Sequence, residues 1–391
     1  MIDLIELRRT LHRTPELALD LPLTRQLLID ALAPLGLEVH TSESCSSLAV
    51  VVPGGGGPGP TVLLRADMDG LPVAEDTGEE FSSANGNMHA CGHDLHMAGL
   101  VGAVHELHRR RDEYHGDVLA VFQPGEEGAG GAELMISEKA HLITGQKPIA
   151  SYGVHVLSYV EAGKFCCRAG EVMGAAMLFE LELLGRGGHA ARPHTALDPV
   201  STAALVVQAI QTFVAQSSSP SDPIVVTVGS FTAGTAANVI PSRALLKVSL
   251  RATSHEAARR AYEKIRGIAT AIAEGFGLGL RAEVGPDLGP TVTDAAGASL
   301  VRSTVTDLYG SERYRELVVP EMISEDFSLF LEETGGAFVL VGAAVQGEPH
   351  LQPTNHSPEA RFDDSVVPDI TNLLSELAIR RLNSATDGTK C

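Results

Sequence analysis

Asp117-Val-Leu-Ala-Val-Phe-Gln-Pro-Gly-Glu-Glu-Gly128 is the stretch from which the fold can be read. Asp117–Phe122 is a short β-rich apolar run that stops at Pro124-Gly125, a short helical stretch follows at Gly130–Ser137, and a second apolar run occupies Ile149–Val156. Strand, break, helix and strand in that order predict an α/β unit with a mostly parallel sheet flanked by helices. Upstream, residues 2–13 and 23–33 carry apolar side chains at helical spacing on either side of Thr14-Pro15-Glu16, which predicts two amphipathic helices. Leu48–Val52 and Thr61–Arg65 flank a glycine-rich turn at Gly54 and read as two strands, and His93–Arg111 reads as a helix.

From about Met173 the pattern changes to strand (Met177–Leu184), helix (Asp198–Gln216), two strands (Pro223–Phe231, Ala244–Ala252), long helix (His255–Glu274) and strand (Leu278–Val284). The chain then returns to helix (Ala298–Tyr309), strand (Ala337–Val341) and a terminal helix (Ser365–Leu382). This order predicts one domain made of residues 1–172 and 288–391, interrupted by a smaller inserted α+β domain at 173–287. A chain of 391 residues with 44% hydrophobic content can fill two such cores without covalent staples.

Charge and cysteine content narrow the function. Acidic residues outnumber basic ones 49 to 29, a formal charge of −20, and no basic run is long enough to follow a phosphate backbone. Nucleic acid is not an expected partner. The N-terminal segment reaches Asp3 and Glu6 before any signal-like apolar stretch, and no run of about 18 apolar residues appears later. The expectation is a cytoplasmic protein that does not span a membrane. Five cysteines (Cys45, Cys91, Cys166, Cys167, Cys391) are too few and too scattered for a secreted disulfide framework.

The densest chemical signal is Met88-His-Ala-Cys-Gly-His-Asp-Leu-His96, a thiol and three imidazoles at a loop-to-helix junction. Any one of these side chains alone is ordinary core material. Together, Cys91 and His93 are spaced as neighbouring metal ligands, with His89 and His96 expected to stand behind them. The pair Glu126-Glu127 sits where a strand breaks, so both carboxylates can reach one site, one gripping a cation and the other moving a proton. An acidic surface turn has the same sequence, but α/β sheets place ligands at such strand ends. Asp67 and Asp69, in Leu63-Leu-Arg-Ala-Asp-Met-Asp-Gly-Leu-Pro72, end a strand as carboxylates that orient metal-bound histidines would, although out of context the stretch reads equally as a surface turn. His155 lies inside an apolar run and His356 in a turn. In the inserted domain, Gly185-Arg-Gly-Gly-His189 and Asn238, with Arg251 at a strand end, offer donors for an oxyanion and a carboxylate. Taken alone that loop is equally consistent with turn chemistry and a surface arginine. No nucleophile elbow, phosphate loop or dinucleotide fingerprint is present.

These stretches, in order from Leu7-Arg-Arg-Thr-Leu-His12 through MHACGHD, VFQPGEE, GRGGHAARPH and NVIP to Ser324-Glu-Asp-Phe327 and Asn355-His-Ser-Pro, resemble the dinuclear metal amidohydrolases of the aminoacylase and carboxypeptidase type, peptidase family M twenty. Within it they resemble the hippurate hydrolase and indole-acetyl-amino-acid hydrolase branch. The resemblance implies Cys91, His93, Glu127, His155 and His356 as ligands of two divalent metal ions, Glu126 as general base, His189 as a catalytic lid residue, and Asn238 and Arg251 as substrate-binding residues. It also implies a homodimer formed through the inserted domain, with His189 serving the partner's site. The chain departs from the branch at Gly125, Leu95 and Ser158, where alanine, glycine and proline are usual. The mixed nitrogen, sulfur and oxygen donors suit zinc, manganese, cobalt or nickel better than magnesium or calcium. The expected reaction is hydrolysis of an N-acyl-amino acid. A dinuclear aminopeptidase or dipeptidase using Glu325 or Asp326 for a substrate ammonium is the alternative, and a non-catalytic metal-binding or dimerisation protein a third reading.

Overall fold

The computed structural model describes every residue except 1, 218, 220–222, 346 and 388–391, so Cys391 and the end of the polar tail lie outside the described residues. The chain divides into two compact units, one of Met1–Val172, Val292–Val319 and Asp326–Cys391, the other of Met173–Thr291 and Pro320–Glu325.

The first unit is built on an eight-stranded sheet ordered Val39–Thr41, Leu48–Pro53, Asp117–Gln123, Thr61–Asp67, Ser151–Glu161, Gly336–Ala344, Phe165–Cys167, Tyr314–Glu316. Its middle pairs, from Asp117–Gln123 to Gly336–Ala344, are parallel, the pairs flanking them are antiparallel, and the outermost pair of Phe165–Cys167 with Tyr314–Glu316 is parallel again. Every residue of Thr61–Asp67 is buried, which is why that strand reads as a nearly unbroken apolar run instead of alternating. The two strands flanking the glycine turn are not neighbours, because Asp117–Gln123 lies between them. The turn itself makes room: Gly54, Gly55 and Gly56 donate their backbone N–H groups to Gly116, Arg111 and Tyr114 carbonyls, docking the turn onto the chain that leads into the intervening strand.

The helix His93–Arg109 buries most of its length on this sheet, beside the terminal helix Val367–Asp387. One large cluster of buried apolar side chains, running from Leu11 and Leu28 through Leu100, Val154 and Phe362 to Leu382, fills this unit.

The second unit has its own core and its own sheet, antiparallel throughout, ordered Ile224–Ala233, Arg243–Ala252, Ala175–Leu184, Gly279–Leu288. Arg243–Ala252 buries alternate residues, Ala244, Leu246, Val248, Leu250 and Ala252, as a sheet covered on one face requires. The helices Pro199–Ser217 and His255–Gly275 provide that cover. Pro199–Ser217 is long and apolar enough to cross a membrane by length and composition alone, yet Thr202, Ala203, Val206 and Ile210 form a buried stripe at helical spacing against the sheet.

Candidate metal centre

Thr61–Asp67 runs parallel to both Asp117–Gln123 and Ser151–Glu161, so the chain leaves the first two strands on the same edge. That edge is where an open parallel sheet offers a crevice for ligands. Gly92, with φ +81, caps the helix His93–Arg109, and a Cβ there would lie 2.3 Å from Val156 Cγ2. Only glycine lets Cys91 and His93 flank so tight a passage.

Hydrogen bonds decide which histidines are available. His93 Nδ1 lies 2.8 Å from the Asp69 carbonyl oxygen and must donate to it, which leaves Nε2 unprotonated in the neutral ring. That Nε2 is buried without a hydrogen-bond partner and faces Glu127 Oε1 at 3.9 Å and Glu126 Oε2 at 4.0 Å. His96 is different. It donates from Nδ1 to Asp67 Oδ1 at 2.6 Å and accepts the Val156 N–H at Nε2, 2.9 Å away. Both nitrogens are committed, so His96 orients its neighbours and has nothing left for a cation. His89 is also buried, and burial pushes its pKa down to about 3, so it is neutral.

Around His93 Nε2 the remaining donors converge. Cys91 Sγ lies 3.2 Å from His356 Nε2 and 3.7 Å from His155 Nε2, and Glu127 Oε1 lies 3.3 Å from His356 Nε2. Donor atoms of Cys91, His93 and Glu127 all fall within 4.8 Å of one another. Burial, with the Glu127 charge adding to it, pushes the Cys91 thiol up, and hydrogen bonds to Cys91 and Glu127 raise His356 to about 10. His155 is pushed well down by burial and by His96. A thiol, a carboxylate and three imidazoles at one site, buried except on the His356 side and with His93 Nε2 lacking a hydrogen-bond partner, fit a transition-metal centre of mixed soft and hard donors.

The surrounding residues hold these donors in place. Asp69 accepts the Glu126 N–H at Oδ1 (3.0 Å) and the Glu127 N–H at Oδ2 (3.1 Å). One carboxylate thus fixes the backbone of both glutamates, in a turn that Gly125 enters at φ +74. His356 has φ +70, an uncommon conformation for a residue with a Cβ that persists where surroundings over-determine it. The surroundings are Asn355, whose Nδ2 donates to Val156 O and whose Oδ1 accepts the Ser158 N–H, and Ser158, whose hydroxyl donates to Pro353 O at 2.7 Å. A proline at 158 would lack that N–H and that hydroxyl. Sequence reasoning passed over Asn355 and Ser158 as site residues; their signal is two polar residues beside the ligand candidates His356 and His155.

His189, Asn238 and Arg251 belong to the second unit. His189 pairs with Val239 in a two-stranded ribbon, and Asn238 O accepts the Ala190 N–H. His189 and Asn238 line one open groove of about 1020 Å³. The Ala191 N–H donates to His189 Nδ1 at 3.0 Å, so the neutral ring carries its proton on the exposed Nε2. Arg251 does not line that groove; it is half-buried and donates to Ser324 Oγ.

Thiol, carboxylate and imidazole donors gathered beside the Glu126 carboxylate, at the strand ends of an α/β sheet, form a site suited to metal-assisted hydrolysis. The chain belongs to the peptidase family M20/M25/M40, whose model matches residues 63–380. It is 34% identical over 382 residues to an IAA-amino acid hydrolase of Arabidopsis thaliana, covering 97% of this chain and 85% of that protein. It is 30% identical over 380 residues to the hippurate hydrolase of Campylobacter jejuni, covering 96% of each. Among solved structures, a Bacillus subtilis protein described as a dinuclear metal binding peptidase from this family superposes with a TM-score of 0.79 at 27% identity, covering 97% of this chain and 98% of that one.

If the Asp69 carboxylate sets the acidic turn, Asp69→Asn, which keeps one acceptor and loses the charge, weakens metal affinity by about 10–100-fold. Chelator competition on the metal-loaded protein measures it, and unchanged affinity would show that the turn holds itself.

Proposed function

We propose that this protein is a metal-dependent amidohydrolase that cleaves N-acyl-amino acids to a carboxylic acid and a free amino acid. The observation that carries the proposal is the convergence of buried Cys91, His93 and His155 with half-buried Glu127 and exposed His356 at one site, with Glu126 Oε2 4.0 Å from His93 Nε2. The relatives named as hydrolases of amino-acid conjugates support the substrate class. We assign those five residues as ligands of two divalent ions, zinc or manganese first, with cobalt and nickel also compatible with the donors. Bound there, the ions would supply Lewis acidity to the carbonyl and acidity to a water molecule.

The protein's own groups do the rest. Glu126, whose carboxylate is not needed as a ligand in this assignment, takes a proton from the attacking water and passes it to the amine nitrogen as the C–N bond breaks. Water oxygen ends on the acyl carbon, and the amino acid leaves with the transferred proton. His189 Nε2–H is assigned to the developing oxyanion, and Asn238 and Arg251 to the carboxylate of the substrate. We further propose a cytoplasmic homodimer formed through the second unit, in which His189 serves the partner subunit.

Chelation is expected to abolish activity and added divalent metal to restore it. Glu126→Gln should keep its metal and lose turnover by several orders of magnitude, whereas Glu127→Gln should lose metal; the opposite pattern by elemental analysis would exchange the two roles. Arg251→Ala should raise KM for N-acyl-amino acids by an amount corresponding to about 1.5–3 kcal/mol and leave an acyl amide without a carboxylate nearly unaffected. Equal losses on both substrates would make Arg251 structural.

The shared site is tested by refolding Glu126→Gln together with His189→Ala. With random pairing about half the dimers are mixed, and one site in each combines the two intact parts, so about a quarter of all sites recover. No recovery in a sample shown by native mass spectrometry to contain mixed dimers would sink the shared-site model.

A further inference from the structure

Buried beneath the acidic turn is a set of charges that the proposed reaction does not use. Arg65 and Asp326 are buried, and Gln123 is completely so. Arg65 donates from Nε to Gln123 Oε1 (2.9 Å), from Nη1 to Asp67 Oδ2 (2.8 Å) and from Nη2 to Asp326 Oδ1 (3.0 Å). Gln123 Nε2 donates to both oxygens of Asp326, at 2.7 and 2.9 Å, and the Ala132 N–H donates to Asp326 Oδ2 at 3.0 Å.

The positions of those partners give the carboxylate its meaning. Gln123 is the last residue of its strand and Ala132 lies in the first turn of the next helix. Between them runs Pro124-Gly-Glu126-Glu127-Gly-Ala-Gly-Gly131, the segment with both glutamates. Asp326 therefore grips the acidic segment at its entry and its exit, from a point 203 and 194 residues away in sequence. Its second connection runs through Arg65 to Asp67, on to His96 Nδ1, and from His96 Nε2 to the Val156 N–H beside His155. One hydrogen-bonded chain thus spans the strand of Asp67, the helix of His93, the strand of His155 and the glutamate segment. Arg65, held between two carboxylates, is the only cation in this chain as drawn, so removing either charge leaves a buried imbalance.

We propose that Asp326 is a positioning residue: it clamps both ends of the Glu126-Glu127 segment and, through Arg65 and Asp67, sets the orientation of the histidines at the metal centre. The proposal rests on the reading of that site as a metal centre. Asp326→Asn is nearly the same shape, but its amide must turn one N–H toward groups that are all donors. Gln123→Met keeps the charges and removes the link to the segment's entry. As a matched control, Glu376→Gln breaks the part-buried pair of Arg110 with Glu376 (2.6 Å) on the terminal helix, among residues with no assigned role in the site.

The experiment loads each full-length protein with Mn²⁺, equilibrates it against graded chelator and measures retained metal by elemental analysis, alongside kcat, KM and near-ultraviolet circular dichroism. Asp326→Asn is expected to lose Mn²⁺ with about 10–100-fold weaker affinity and to lower kcat more than it changes KM, Gln123→Met to shift in the same direction, and Glu376→Gln to retain metal as the wild type does. Wild-type retention in Asp326→Asn and Gln123→Met, or an equal loss in Glu376→Gln, would overturn the assignment; if Asp326→Asn does not fold, Gln123→Met decides alone. A wild-type protein that holds Mn²⁺ but cleaves no N-acyl-amino acid would remove the proposed substrate class, while the retention series would still decide the role of Asp326.

Discussion

A carboxylate without access to water must have its oxygens answered by donors, since leaving a buried charge unpaired costs several kcal/mol. Asp67 and Asp69 stand buried where the strand Thr61–Asp67 ends, and the arrangement around them follows from that demand. Asp67 is answered at Oδ2 by Arg65 Nη1 and at Oδ1 by His96 Nδ1. Asp69 is answered by two consecutive backbone N–H groups and thereby fixes where Glu126 and Glu127 begin. The protein meets the cost of burying two anions with contacts that also orient the groups it needs for chemistry.

Parallel order in the sheet makes this economical. Three neighbouring strands running the same way bring Asp67, the Gln123 strand end and His155 together although they are far apart in sequence. The helix His93–Arg109 then presents His93 and His96 one turn apart, on the same face, toward that edge. Geometry alone would leave His96 a plausible ligand, because its donor atom falls within reach of His93, His155 and Asp67. The backbone N–H of Val156 removes it by occupying the one lone pair a neutral imidazole has left.

How much of this could be read from sequence depended on whether a residue's meaning is local. Strands and helices with a clear period appear close to where the spacing predicts: Asp117–Phe122 is observed as Asp117–Gln123 and His255–Glu274 as His255–Gly275. Short strands such as Val39–Thr41, Phe165–Cys167 and Tyr314–Glu316 were illegible, because three residues carry no period and are strands only by virtue of the neighbours they pair with. Strand order was equally hidden: nothing local to the glycine turn says that another strand enters between its two arms. At the site, the clustered motif around Cys91 announced itself, whereas Asp326 could not be tied to Gln123 without the fold. A local signal did exist. Arg65 and Gln123 interrupt runs that are otherwise apolar, and a polar side chain in a fully buried strand must find a partner.

The same accounting bears on the choice between an acylated and a free amino terminus in the substrate. A substrate ammonium needs a carboxylate with capacity to spare, and Asp326 is, with Glu325, one of the two candidates that the sequence offers. Its two oxygens already take N–H donors from Arg65, Gln123 and Ala132, while Asp67 and Asp69 are engaged as described. In the proposed roles Glu127 is given to a cation and Glu126 must move a proton, so neither is free to neutralise an ammonium. A neutral acyl nitrogen makes no such demand. The carboxylates gathered in the first unit therefore favour a substrate whose charge lies at its carboxyl end, and an arginine is the side chain suited to meet it.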